Sequence, residues 1–188
     1  RMLARIDIRN NASGFIVDKV HLVNYNTAGY IAQAWDAADR QLTDPAPATP
    51  GIPSDPGKKT GKSNAIPYTV DGASSYEGEI YTYESPSAEE WGAGQTDPVA
   101  RQEAVCLIIE GHIGAAAPSF YRVDFTVEDG SEFMPLKRNY KYRIDIKEVT
   151  GAGFGDMGDA IASYSVISNL KTRLIYYDRH KIKNVVYN

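Results

Sequence analysis

Two stretches of the chain contain the residue types that hold phosphate groups. Residues 153–158 have the spacing G-x-G-x-x-G and stand twenty residues ahead of Asp178, an arrangement that binds dinucleotides when it joins a buried parallel strand to a helix. The segment before it alternates apolar with charged residues, whereas parallel strands are apolar on both faces. We therefore predict a glycine-rich loop and no nucleotide site.

The second stretch, residues 57–63 (GKKTGKS), resembles a P-loop but has Pro56 where the first glycine would stand. No apolar strand leads into it, so the ring of backbone N–H groups that binds phosphate is not expected to form. We predict an exposed basic loop here.

The sequence contains no residue pattern that is typical of another kind of catalytic site or of a metal site. The histidines at positions 21, 112 and 180 are isolated from metal-ligand spacings, and the G-x-S-x-G motif of serine hydrolases does not occur. Adjacent acidic residues fall in expected turns, where solvation explains them. Cys106 lies in an apolar run typical of the core. We therefore expect no catalytic residue, no cofactor and no metal ion.

The amino-acid composition of the chain indicates which classes of binding partner are not expected. The chain has 188 residues, 13 of them tyrosines, and a formal net charge of −4. Tyrosine is favoured in strands and interfaces. Nucleic acid is not an expected partner, because binding its phosphates needs concentrated positive charge. No apolar run reaches the roughly 18 residues of a membrane-spanning helix.

Alternation of apolar and polar residues predicts an all-β, antiparallel sandwich. The longest clean alternation is at residues 140–147, and we expect this strand to pair antiparallel with its neighbours. Residues 10–14 are the expected turn between the first two strands. The expected strands lie at residues 4–9, 15–23, 79–84, 104–109, 119–127, 140–147, 170–178 and 182–187.

Five of the ten prolines fall between residues 45 and 56. Proline cannot donate a hydrogen bond to a sheet and holds the backbone extended. Residues 36–64 are therefore predicted to be an exposed loop or linker.

Residues 136–154 (LKRNYKYRIDIKEVTGAGF) closely resemble the C-terminal-domain signature of the fimbrillins, the type V pilins of Bacteroidales. Further short segments match the family in its usual order. Residues 1–8, 20–24 and 29–31 resemble the later part of its N-terminal domain. The remaining matches are residues 80–84, 121–125, 159–160 and 169–170.

The resemblance implies two transthyretin-like sandwich domains, of which the first is incomplete, so that the chain is expected to be a fragment lacking the early N-terminal-domain strands. Residues 1–35 would end the N-terminal domain, residues 36–75 would be a proline-rich linker, and residues 76–188 would form the C-terminal sandwich.

The resemblance also implies a function. Fimbrillins are secreted as lipoprotein precursors, trimmed by an arginine-specific protease and polymerised into fimbriae by strand donation. This chain is thus expected to be a subunit of a fimbrium (pilus) at the outer membrane, with a lipid anchor on the precursor as its only membrane contact. Its expected partners are other fimbrial subunits, in a homo- or hetero-polymer, and surface ligands of host or bacterial cells.

The signature residues are expected to serve the fold, with the tyrosines and isoleucines facing the core and the glycines letting the chain turn away. Replacing Ile144 with Ala should then cost about 2–5 kcal/mol, and replacing Lys141 almost nothing. The residues of this signature are Arg138, Asn139, Tyr140, Tyr142, Ile144, Ile146, Gly151 and Gly153.

Residues 181–187 are the expected donor or edge strand, with an ordinary internal strand as the alternative. The side chains expected to fill a neighbour's pockets are those of Ile182, Val185, Val186 and Tyr187. The alternative function is a tip adhesin or a carbohydrate-binding module, suggested by Trp35 and Trp91, because aromatic rings stack on sugars.

Overall fold

The structure of the protein is a computed structural model. It describes residues 3–29, 35–36, 41–42, 60–85, 102–126, 133–163 and 169–178. The strands in these ranges are β1 (Ala4–Asn10), β2 (Phe15–Val23), β3 (Trp35–Asp36), β4 (Gln41–Leu42), β5 (Ile66–Thr69), β6 (Ser75–Thr82), β7 (Cys106–Ile113), β8 (Ser119–Asp124), β9 (Tyr140–Val149) and β10 (Leu170–Asp178). A 3-10 turn (Lys62–Asn64) precedes β5, and one short helix, α1 (Met157–Ala162), follows β9.

The strands form two four-stranded sheets. The first sheet has the order β10-β9-β1-β6 and the second the order β5-β2-β7-β8, while β3 and β4 pair with each other. The two large sheets face each other across one continuous apolar cluster, which is the arrangement of a β-sandwich. The all-β sandwich that the sequence predicts is confirmed.

Side chains two residues apart share one face of a strand, and this period builds the core. In the first sheet the buried row of β1 is Ala4, Ile6 and Ile8, and that of β9 is Tyr142, Ile144 and Ile146. The second sheet contributes the buried residues Phe15, Val17, Val20, Leu22, Leu107, Ile109, Tyr121 and Val123.

The pairing partners of the strands differ from the sequence prediction in two ways. β9 pairs antiparallel with β10 but parallel with β1, so the expectation of antiparallel neighbours on both sides was wrong. The turn between β1 and β2 lies at residues 13–14, yet the two strands enter different sheets. Alternation along a strand reveals which side faces the core, but it contains no information on which strand lies beside it.

The division at residues 36–75 also differs from the observed pairing. β1 and β2 lie in the middle of the two sheets, between strands from residues 66–178. β5 falls inside the predicted linker and pairs with β2, and β4 falls inside the predicted proline-rich loop. The described parts of the first and last predicted segments therefore share one hydrophobic core.

Candidate functional site

Tyr142 lies at the centre of the β9 signature. Its ring is buried, with the ring centroids of Phe125 and Tyr140 at 5.8 and 6.2 Å. Its hydroxyl accepts a hydrogen bond from the backbone N–H of Lys137 (2.8 Å) and donates one to the carbonyl oxygen of Pro135 (3.0 Å). Burial raises the pKa of this phenol, because the ionised form would lose its water. Tyr142 thus ties the core to the loop that precedes β9.

The other apolar signature residues of β9, which the alternation places in the core, differ in their burial. Ile144 and Ile146 are buried, whereas Tyr140, at the start of the strand, is only half-buried. The Tyr140 ring stacks on Tyr176 of β10 at a centroid distance of 6.4 Å. The aromatic row therefore continues from the core to the edge of the first sheet.

Arg138 and Asn139 form the turn that enters β9. The Arg138 guanidinium makes a two-point ion pair with Glu84, with the Nε–Oε1 distance 2.7 Å and the Nη2–Oε2 distance 2.5 Å. Asn139 has a φ of 65°, in the left-handed region that Asn tolerates better than most residues, and its N–H donates to the carbonyl oxygen of Leu3. The turn is thus joined to the segment that follows β6 and to the residue that precedes β1.

Gly151 and Gly153 lie where the loop after β9 crosses the edge of β8. The Tyr121 hydroxyl donates to the carbonyl oxygen of Gly151 (2.9 Å), and the N–H of Gly153 donates to Oγ of Ser119 (3.1 Å). A Cβ on Gly153 would lie 2.4 Å from the carbonyl oxygen of Phe120. Glycine is required at position 153 because no other residue fits this close approach.

The rest of the G-x-G-x-x-G segment closes the edge of β8. Phe154 and Phe120 exchange two backbone hydrogen bonds of 2.9 Å each. The Asp156 carboxylate then accepts from the N–H of Gly158 (2.6 Å) and caps α1, as acidic N-cap residues commonly do. Lys62, from the P-loop-like stretch, reaches the same carboxylate (2.5 Å). The two stretches that resemble phosphate-binding motifs therefore meet where α1 begins.

The helix α1 covers the outer face of the second sheet. Its buried residues pack in an apolar cluster separate from the main core. That cluster contains Met157, Ala160, Ile161, Val23, Cys106 and Ile108. The burial of Cys106 agrees with its interpretation as a buried apolar residue.

One edge of the first sheet, β6, is interrupted by a bulge. Ile6 pairs with Ile80 and Ile8 pairs with Tyr76, so three residues of β6 lie opposite Asp7 alone. A bulge of this kind breaks the regular ladder along an edge strand.

Asp7 holds this bulge through a fully buried carboxylate. It accepts hydrogen bonds from the N–H of Gly78 (2.9 Å) and from Nε of Arg5 (2.7 Å), and Nζ of Lys141 lies at 2.7 Å. Burial opposes ionisation of Asp7, but these hydrogen bonds outweigh it, and the pKa lies below its ordinary value. The sequence predicts that replacing Lys141 has almost no effect on stability. We now expect a measurable loss of stability, because Lys141 neutralises the buried charge of Asp7.

The strand β10 forms the opposite edge of the first sheet. Its core-facing side chains become more exposed from the beginning of the strand to its end. Leu170 is buried and Leu174 is half-buried, but Tyr176 is 53% exposed. Its outer face carries Lys171, which pairs with Glu148 of β9 at 2.7 Å, and the exposed Arg173. Within the described part of the chain, β10 has β9 on one side and no strand on the other.

Two histidines that the sequence leaves isolated each meet a carboxylate in the fold. Nε2 of His21 lies 2.8 Å from Glu110, which Lys19 also approaches (3.2 Å). Burial opposes ionisation of Glu110, but its hydrogen bonds with His21 and Lys19 lower its pKa. Nδ1 of His112 lies 2.9 Å from Asp18. Among the residues described, no three His, Cys, Asp or Glu side chains could together hold a metal ion.

Several predicted residues lie outside the described ranges. These are the donor-strand residues Ile182, Val185, Val186 and Tyr187, and Trp91; for Trp35 only the backbone is described. In the ranges that the structure does describe, no helix is long and apolar enough to cross a membrane.

Sequence reasoning missed the roles of three residues: Asp7, Glu84 and Tyr176. Asp7 is one polar position in an alternating strand, and Glu84 stands 54 residues from its partner Arg138. Tyr176 lies in an apolar segment that predicts burial. No local signal distinguishes them, because their environments depend on residues distant in the chain.

No family model and no curated protein matches the sequence. Among solved structures, the chain is similar to the tip fimbrial protein Mfa3 from Porphyromonas gingivalis with a C-terminal truncation, with a TM-score of 0.48, 11% identity, and coverage of 95% of this chain and 52% of that chain. It is also similar to candidate cell adhesion proteins from Bacteroides uniformis (TM-score 0.43, 13% identity, coverage 94% and 50%) and Bacteroides eggerthii (TM-score 0.47, 14% identity, coverage 94% and 55%).

The chain spans about half the length of these solved structures. They are proteins of the kind that the resemblance of residues 136–154 predicts, fimbrial and cell adhesion proteins of Bacteroidales. At these identities and TM-scores the likeness concerns the fold alone, and no role passes from them to this chain.

Proposed function

We propose that the chain is a structural subunit of a bacterial surface fimbria, joined to its neighbours by strand donation and supporting cell adhesion. The signature at residues 136–154 supports this proposal from the sequence. The observation that carries it is the outer edge of β10, which has no strand beside it in the described part of the chain and has Tyr176 exposed on its core-facing side.

The physical basis lies in the backbone of an edge strand. A strand without a neighbour presents a row of N–H and C=O groups that another chain can pair with. A strand added beside β10 would also cover the Tyr176 ring and the half-buried Leu174. Both effects favour assembly, and neither needs a catalytic residue.

Residues 182–187 are the proposed donor, with Ile182, Val185, Val186 and Tyr187 entering pockets of a neighbouring subunit. The subunit would reach the cell surface as a lipoprotein precursor, and its only membrane contact would be the lipid anchor. Partners are then other fimbrial subunits and surface ligands on host or bacterial cells.

The test is assembly of the mature protein on the bacterium that makes it. Surface fractions heated mildly in detergent should give a ladder of subunit multiples on gels, and immunogold labelling should decorate fibres. Val186→Asp should abolish the ladder, because a charge cannot enter an apolar pocket without a partner. Lys183→Asp, at a position that is already charged and lies on the opposite face of the strand from Val186, is the matched control. Unaltered ladders with Val186→Asp would refute the donor role, and a monomer without fibres would refute the function.

A further inference from the structure

The helix α1 packs apart from the core between the two sheets. Its buried face lies in one apolar cluster with Val23 of β2 and with Cys106 and Ile108 of β7, all three of which are 0% exposed. This cluster is separate from the one that joins the two sheets. The packing of one sheet on the other therefore does not depend on α1.

The helix is too short to be stable by itself. Its six residues, one of them Gly158, make roughly one and a half turns, and such a helix needs tertiary packing to persist in water. Ordering this backbone costs conformational entropy, and the buried side chains that offset it are Met157, Ala160 and Ile161. We therefore expect the closed position of α1 to be only marginally more stable than an open one.

The contact that fixes the start of α1 lies in solvent. Asp156 caps the helix and pairs with Lys62 at 2.5 Å, and the two side chains are 53% and 54% exposed. Gly155 precedes the cap, and a Cβ there would meet no atom within 4 Å. Since exposed ion pairs contribute little to stability, this end of the helix is weakly held and has room to move.

Two side chains donate to the last carbonyl oxygens of α1. The Arg122 guanidinium donates to Ile161, and the Gln102 amide donates to Ala162 at 3.1 Å. Arg122 also pairs with Asp124 at 2.8 Å. An outward movement of α1 therefore leaves the buried guanidinium with its carboxylate partner, which limits the cost of opening.

We propose that α1, together with its capping residue Asp156, is a lid on the second sheet that opens while the two sheets stay packed. Opening uncovers Cys106 and the apolar strip around it. In the described structure it also leaves the Phe120–Phe154 bridge as the remaining cover on the edge of β8. The lid does not depend on the fimbrial function proposed above, because it needs neither a donor strand nor a second subunit.

The rate at which Cys106 reacts with the thiol reagent DTNB measures the opening. Cys106 is the single cysteine of the chain and is buried, so it reacts in the molecules that have opened. Below the unfolding transition the rate should rise only weakly with urea, because opening a lid exposes little surface. A urea dependence as steep as that of global unfolding would overturn the inference.

Variants at two exposed ion pairs locate the opening. Asp156→Ala removes the cap and the contact with Lys62, and it should speed labelling about fivefold. Glu148→Ala breaks a similar exposed pair, with Lys171 at 2.7 Å on the first sheet, and should leave the rate unchanged. Equal rates for the two variants would contradict the lid.

A core variant separates opening of the lid from unfolding of the whole chain. Ile144→Ala weakens the core between the sheets, so it should leave the labelling rate unchanged if the lid opens by itself. If Cys106 reacts only after global unfolding, the same variant should speed labelling about thirtyfold or more, and the inference fails. Circular dichroism checks that each variant is folded.

Discussion

Glu84 and Arg138 form a two-point ion pair across one end of the first sheet, with distances of 2.7 Å (Nε–Oε1) and 2.5 Å (Nη2–Oε2). Their side chains are only 6% and 12% exposed. The carbonyl oxygen of Glu84 also accepts a hydrogen bond from Nδ2 of Asn26 (2.6 Å). The pair therefore joins the segment after β6, the turn before β9 and the segment after β2.

Breaking this pair should be costly. Arg138→Ala leaves a nearly dry carboxylate without its cation, and we expect a loss of about 3–5 kcal/mol in the free energy of unfolding, measured by urea denaturation. The double variant Glu84→Leu/Arg138→Met should recover part of this loss, since no charge remains unpaired. Lys171→Ala, which breaks the exposed pair with Glu148, is the control and should cost less than about 1 kcal/mol. Equal losses for Arg138→Ala and the control would contradict the expectation.

The two faces of β9 should respond differently to truncation. Ile144→Ala removes buried atoms and leaves a cavity, so it should cost about 2–5 kcal/mol. Lys141→Ala should cost about 1–3 kcal/mol, because the buried Asp7 loses a partner at 2.7 Å. Lys147→Ala, on the same face, loses only a 3.6 Å contact with Asp145, which Arg143 also holds at 2.9 Å, and should cost less than about 1 kcal/mol. If Lys141→Ala is as silent as Lys147→Ala in urea denaturation, the network around Asp7 does not stabilise the fold.

The Asp7 network should make stability depend on pH in acid. The folded state lowers the pKa of Asp7, so it favours the carboxylate more than the unfolded chain does. This contribution is present above the unfolded pKa of about 4 and is lost as pH falls through the lower, folded pKa. Asp7→Asn should therefore be less stable than the wild type at pH 7, and the difference should shrink below about pH 4. A difference in urea midpoint that stays constant from neutral to acid pH would contradict this.

Two glycines of one loop should tolerate a methyl group very differently. At Gly153 the new Cβ would lie 2.4 Å from the Phe120 carbonyl oxygen, whereas at Gly155 it would meet no atom within 4 Å. Gly153→Ala should cost about 1–3 kcal/mol or more through the forced backbone shift, and Gly155→Ala should be nearly neutral. Thermal unfolding followed by circular dichroism measures both, and similar midpoints would show that the loop does not need the close approach.

The sequence by itself determined which face of β1 and which face of β9 enter the core. Ile6 and Ile144 are buried as predicted, because the two-residue period of a strand is a local property that needs no partner. The same local reasoning predicted strands at β1, β2 and β10, and a glycine-rich loop at residues 153–158, the last two of which belong to α1 instead.

Tertiary structure alone decided which strands lie side by side and which charges meet. Lys141 and Lys147 stand on the same outer face of β9, and alternation treats them alike. Only the parallel pairing of β9 with β1 brings Lys141 to the buried carboxylate of Asp7. Tyr176 likewise is exposed because β10 lies at the end of its sheet in the described structure. Strand order depends on how the whole chain buries its apolar surface, and no short segment contains that information.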